Sequence, residues 1–105
     1  MLESEFLELA DATLDAVERA IDATEADIEV TRAGNVLTLE LANGSKVVVN
    51  SQAPMRQMWV AGKSGAFHYA RDDNRWVDTR DGSELFAALS KLISAQGGEA
   101  IVLRN

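Results

Sequence analysis

An α+β two-layer sandwich, with two helices packed on one face of an antiparallel sheet of five or six strands, follows from three features of this 105-residue sequence. Apolar residues recur every three or four positions near both ends of the chain, as in amphipathic helices. Between the ends they recur at every second position, as in strands with one buried face. Short turns rather than helices separate those strands, so they pair antiparallel, and both helices need a sheet face on which to bury their stripe.

The first element runs from Glu3 to about Ala23, where Phe6, Ala10, Leu14, Val17 and Ile21 share one helical face. Glu8, Asp11, Asp15, Glu18 and Asp22 keep the same rhythm and make a separate acidic stripe. The period then changes to two. Glu25, Asp27 and Glu29 alternate with Ala26, Ile28 and Val30, which predicts a first strand and carries the stripe from helix to sheet. Leu37, Leu39 and Leu41 alternate with Thr38 and Glu40, and Asn43-Gly44 is a type I′ turn signal that folds this strand back onto Lys46 to Val49.

Pro54 lacks an amide donor and marks a strand start or edge before Gln57 to Ala61. Gly62 to Gly65 turns the chain into Ala66 to Ala70, and Asp72-Asp73-Asn74 turns it into the short Arg75 to Asp78. Asp81 followed by Glu84 resembles a capping box ahead of Leu85, Phe86, Leu89, Leu92 and Ile93, and Gly97-Gly98 stops that helix. No linker, repeat or low-complexity segment interrupts the chain, so residues 1–105 are expected to form a single domain.

Composition removes whole classes of function. The net charge of −7 is lopsided: residues 1–29 hold ten acids against Arg19, a net of −9, and the rest of the chain is +2. Nucleic-acid affinity rests on Lys and Arg displacing counterions from phosphate, so DNA and RNA are not expected partners. There is no cysteine, which excludes disulfides, thiolate catalysis, zinc–thiolate sites and a protein-ligated iron–sulfur cluster. His68 is the only histidine, so one chain cannot supply a two-histidine metal triad. "AGKSG" at 61–65 is not a phosphate loop, because its first glycine would fall at Gln57 and no helix follows. The N-terminus has neither a basic segment nor an apolar run, so no signal peptide or membrane span is expected and the location is expected to be cytoplasmic.

Two surfaces stand out. The acidic stripe is either an ordinary solvated face or a platform for hard cations or a basic protein surface. A convex ridge cannot close a cage, so any cation there should be held weakly and exchangeably. On the fourth strand, Met58 and Val60 fit the core face, which turns Trp59 outward with Gln57, while His68 lies opposite the buried pair Phe67 and Tyr69. Trp59 is either half-covered by a loop or an interface anchor.

The segments "SEFLELAD", "VLTLELANGSKVVVN", Asn50 to Pro54, "MWVA" around Trp59, "SGAFHY", and "WVDTRDG" from Trp76 to Gly82 occur in that order over essentially the whole chain. This series resembles the frataxin family, and within it the bacterial CyaY-type frataxins. The resemblance implies the frataxin sandwich and an iron-binding regulator of iron–sulfur cluster assembly, with iron, ferrous or ferric, weakly bound and no permanent cofactor. In that family the acidic ridge of the first helix and strand binds iron and, in bacteria, contacts a basic region of the cysteine desulfurase. The matching positions are Asp11, Asp15, Glu18, Asp22, Glu25, Asp27 and Glu29. The exposed sheet face, matched by Asn50, Gln52, Trp59 and His68, resembles the surface that relatives present to the desulfurase and its scaffold protein. Arg19 and Ala23 stand where some relatives carry further acids. No catalytic residue is implied, and the expectation is a non-enzyme that is a monomer or, with iron, an oligomer. Two rival readings are a ferroxidase or iron-storage enzyme, against which no Glu-x-x-His is present, and a metal-indifferent acidic adaptor.

Overall fold

Helix α1 (Glu3–Asp22) opens the computed structural model, which describes residues 1–105. Its apolar face is buried as the 3.6-residue period requires: Phe6, Ala10, Leu14, Val17 and Ile21 are at most 2% exposed, joined by Thr13 and Ala20. Each large side chain among them contributes about 2 kcal/mol by leaving water. At the helix start the Leu2 amide donates to Glu5 Oε1 at 2.9 Å, the half of a capping box that needs no hydroxyl.

Six strands follow, β1 (Glu29–Ala33), β2 (Val36–Glu40), β3 (Lys46–Gln52), β4 (Gln57–Gly62), β5 (Gly65–Asp72) and β6 (Arg75–Asp78). They pair antiparallel in sequence order, so the sheet is a simple meander. Helix α2 (Leu85–Gly97) closes the layer above it. Leu37, Leu39, Val47, Val49, Met58, Val60, Tyr69 and Trp76 point from the sheet into one core with both helices. The other sheet face carries no helix.

Three local expectations need correction. The first strand begins at Glu29, not Glu25, although exposure still alternates from Glu25 to Val30. The ladder stops at Glu29↔Glu40, where β2 itself ends and the chain turns toward β3, the Leu41 amide closing that turn on the Ser45 carbonyl at 2.8 Å. The Asn43-Gly44 hairpin forms, but only Gly44 has positive φ (+84°), and its amide reaches the Leu41 carbonyl at 2.9 Å. That is a three-residue loop with glycine in the left-handed position, not a two-residue type I′ turn. Helix α2 is capped by Glu84 itself, whose carboxylate accepts from the Phe86 and Ala87 amides at 2.8 and 3.1 Å. Asp81 instead closes its own turn on the Ser83 amide at 2.9 Å, and hydrogen bonding from the Ser83 side chain, then from that amide, holds its carboxyl below the usual range.

After α2 the chain runs extended along the helix. Ile101 and Leu103 are buried, with their amides on the Ser94 and Ser90 hydroxyls at 2.9 and 2.8 Å. Gln96 ties α2 to the sheet by donating to Ser45 Oγ and the Lys46 carbonyl and accepting from the Lys63 amide.

Candidate functional site

The helical period sets Asp11, Asp15, Glu18 and Asp22 along one side of α1, and the chain then delivers Glu25, Asp27 and Glu29 toward the β1 edge. Asp11, Asp22, Glu25, Asp27 and Glu29 are exposed, while Asp15 and Glu18 are half-buried. The sheet register adds an acid that the sequence reading did not mark, since Glu40 lies directly across from Glu29. Like charges facing each other on adjacent strands repel, and Lys46, on the other side of Glu40, relieves the repulsion from one side only.

One base answers the ridge. Arg32 of β1 reaches across to α1, with Nη1 on Asp15 and Nη2 on Asp11. Burial alone would lower the Arg32 pKa, but the hydrogen bonds to Asp15 and Asp11, with their charges, hold it above its ordinary value. Sequence reasoning missed this contact. The available signal was the strand alternation, which places Arg32 on the same face as Val30, toward the helices. Arg19 does not join the ridge and instead borders a cleft beside Arg71 and Arg75. No three acidic or histidine side chains come together as an ion-holding group. Chemically the ridge is a row of separate carboxylates rather than a chelating cage.

The helix-free sheet face assembles the second set of residues. Asn50, Trp59 and His68 lie in one cross-strand row over β3, β4 and β5, and Gln52 pairs with Gln57 in the adjacent row. The Trp59 and His68 rings stack with centroids 4.3 Å apart and an interplanar angle of 16°. The Trp59 indole N–H donates to Gln57 Oε1 at 2.9 Å. Trp59 is therefore outward-facing but half-buried, with the imidazole and Gln57 covering part of it. His68 is likewise half-buried rather than exposed, and its neighbour Phe67 is only half-buried, lying beneath the Arg80 guanidinium at 5.4 Å. A flat, uncharged patch with one large aromatic at its centre has the anatomy of a protein-binding surface. Glu29, at the β1 edge of the same face, lies three strand spacings or about 14 Å from Trp59 across β1 to β4, and the α1 carboxylates stand in the helix layer beyond that edge.

The model of the frataxin-like domain matches residues 1–99. A protein of Janthinobacterium sp. (strain Marseille) named "Iron-sulfur cluster assembly protein CyaY" is 54% identical over all of this chain and 98% of its own length. A relative of the same name in Cupriavidus pinatubonensis is 58% identical, covering 96% of this chain and 95% of its own. Among solved structures, a frataxin from Psychromonas ingrahamii superposes with a TM-score of 0.92 at 34% identity, each chain covered in full. A trimeric frataxin of the yeast Saccharomyces cerevisiae, complexed with ferrous iron, gives a TM-score of 0.67 at 27% identity over 94% of this chain and 88% of that one.

Proposed function

The chain belongs to the frataxin-like family, and from that premise we propose that it takes part in iron–sulfur cluster assembly as an iron-binding regulator rather than an enzyme. The observation that carries this reading is the ridge. Seven carboxylates stand at the α1–β1 edge with one arginine among them, an arrangement that attracts hard cations and basic protein surfaces without enclosing either. Iron is cargo here, held weakly and exchangeably by carboxylates of the set Asp11, Asp15, Glu18, Asp22, Glu25, Asp27 and Glu29. The same ridge docks on a basic groove of a cysteine desulfurase, and Asn50, Gln52, Trp59 and His68 meet the desulfurase–scaffold assembly. The setting is the cytoplasm; no helix is long and apolar enough to cross a membrane.

The test is an anaerobic ferrous titration of the chain followed by backbone amide NMR. The expected result is progressive, fast-exchange change along Asp15 to Glu29, with the amides around Trp59 unmoved. No response to iron, with partner binding intact, would make the protein a metal-indifferent adaptor. Saturable iron oxidation abolished by a single carboxylate substitution would make it a ferroxidase.

A further inference from the structure

In a protein of net charge −7, three of the ten basic side chains border one cleft of about 260 Å³. Arg19 comes from the last turn of α1, Arg71 from the end of β5 and Arg75 from the start of β6. The wall between them is Trp76, 2% exposed and pinned by its indole N–H to the Thr13 hydroxyl at 2.8 Å. The Arg71 guanidinium lies over that ring, 5.3 Å from its centroid, and donates Nε to the Asp73 carbonyl at 3.0 Å. These two contacts orient the guanidinium and leave both terminal nitrogens without a protein acceptor. The chain's ion pairs belong to Arg32 and Arg80, and none involves Arg19, Arg71 or Arg75. The one acidic side chain at the cleft, Glu84, has its carboxylate committed to the first amides of α2.

Three cations outnumber the single Glu84 carboxylate at the cleft, and a further anion between them relieves the remaining repulsion. A guanidinium fork fits two oxygens of a phosphate or carboxylate, and stacking on an aromatic ring fixes its plane in advance. We propose that this cleft binds a small multivalent oxyanion, a phosphate-bearing or polycarboxylate molecule, with Arg71 as the oriented anchor and Arg19 and Arg75 adding charge from either side. The site uses none of the ridge carboxylates and does not depend on iron binding.

The experiment titrates the full chain with inorganic phosphate and, separately, citrate at constant ionic strength, with chloride as control. Backbone amides and the Trp76 indole N–H are followed by NMR. The expected result is saturable change confined to Ala16–Arg19, Arg71–Trp76 and that indole. Arg71→Gln should weaken binding roughly tenfold or more, the loss expected for a charge-assisted contact. Arg71→Lys should not restore it, because an ammonium offers no fork. Lys63→Gln, in the β4–β5 turn, should leave binding unchanged. Melting curves accompany each variant; if Arg71→Gln melts early, Arg19→Gln and Arg75→Gln, both exposed, carry the test with several-fold losses. Saturation by only one of the two anions supports the site and names its class. Saturation by neither, or change scattered over all basic residues as with chloride, would overturn it.

Discussion

Trp59 and Trp76 are one residue type in two physical roles. Trp76 is buried, edge-on to Phe6 at 5.9 Å and hydrogen-bonded to Thr13, so Trp76→Ala removes a core side chain and should cost about 3–5 kcal/mol. Trp59 rests on His68 at the surface, so Trp59→Ala should cost the fold roughly 1 kcal/mol while weakening the desulfurase–scaffold complex by about 2 kcal/mol or more. Urea denaturation beside a binding measurement separates the two, and equal destabilisation by both would remove Trp59 from the proposed interface. Tyr69, the only tyrosine, titrates in plain view of a spectrophotometer. Burial, and then the charge of Asp78, push its pKa up to about 12. A raised folded-state value means the native state holds its proton longer than the unfolded chain. This contribution is therefore complete below pH ~10, the ordinary tyrosine value, and is lost as pH climbs toward 12. Stability should fall by on the order of 2 kcal/mol over that window, and Tyr69→Phe should flatten the fall in denaturation curves. At this scale strand alternation made the direction of Trp59 legible. The stack on His68 was not, because alternation assigns a side chain to a face but not to a neighbour.

Among the elements, α1 and the β1–β2 hairpin decide whether the ridge strains the fold. Glu18 and Asp22 are one helical turn apart, and Asp22 adds a negative charge where the helix dipole is already negative. Asp11 and Asp15 have the same spacing, but Arg32 pairs with both. Neutralising acids along the stripe should therefore not act uniformly. Glu18→Gln with Asp22→Asn should stabilise by on the order of 0.5 kcal/mol at low salt, a rise of a few degrees in melting temperature that salt erases. Asp15→Asn should give no rise, and Arg32→Gln should lower the melting temperature, since each breaks the bridge from β1. Melting curves of these three variants and the unaltered chain at low and high salt decide it; a rise for Asp15→Asn as large as that for Glu18→Gln with Asp22→Asn would mean Arg32 does nothing for the ridge. Helix faces, hairpins and the meander were legible because period, turn residues and loop length are local. The start of β1 was not, since it depends on where β2 leaves the ladder at Leu41, and the Arg32 bridge joins positions about twenty residues apart in sequence.

For the molecule as a whole, charge and shape set how partners arrive. The body measures 39 × 28 × 21 Å, whereas charges in about 0.1 M salt are screened over about 10 Å. A partner therefore feels the face in front of it and not the net −7. Residues 1–29 contribute −9, which Arg32 reduces by one, and the fold concentrates that charge at the α1–β1 edge while the Trp59 patch stays nearly uncharged. The two surfaces should thus control different stages of binding. The ridge should steer a basic partner during approach, and the aromatic patch, desolvated only on contact, should hold it afterwards. Raising salt from roughly 0.02 to 0.2 M should then slow association with the desulfurase–scaffold complex by about tenfold and change dissociation little. Glu18→Gln with Asp22→Asn should slow association at low salt and blunt its salt dependence. Trp59→Ala should do the reverse, leaving association nearly intact and speeding dissociation by roughly thirtyfold, the rate equivalent of about 2 kcal/mol. Stopped-flow association and dissociation measured on the three proteins test this division. An association rate indifferent to salt, or a ridge variant that dissociates faster while arriving at the same rate, would show that the acidic edge is part of the final contact and not a guide to it.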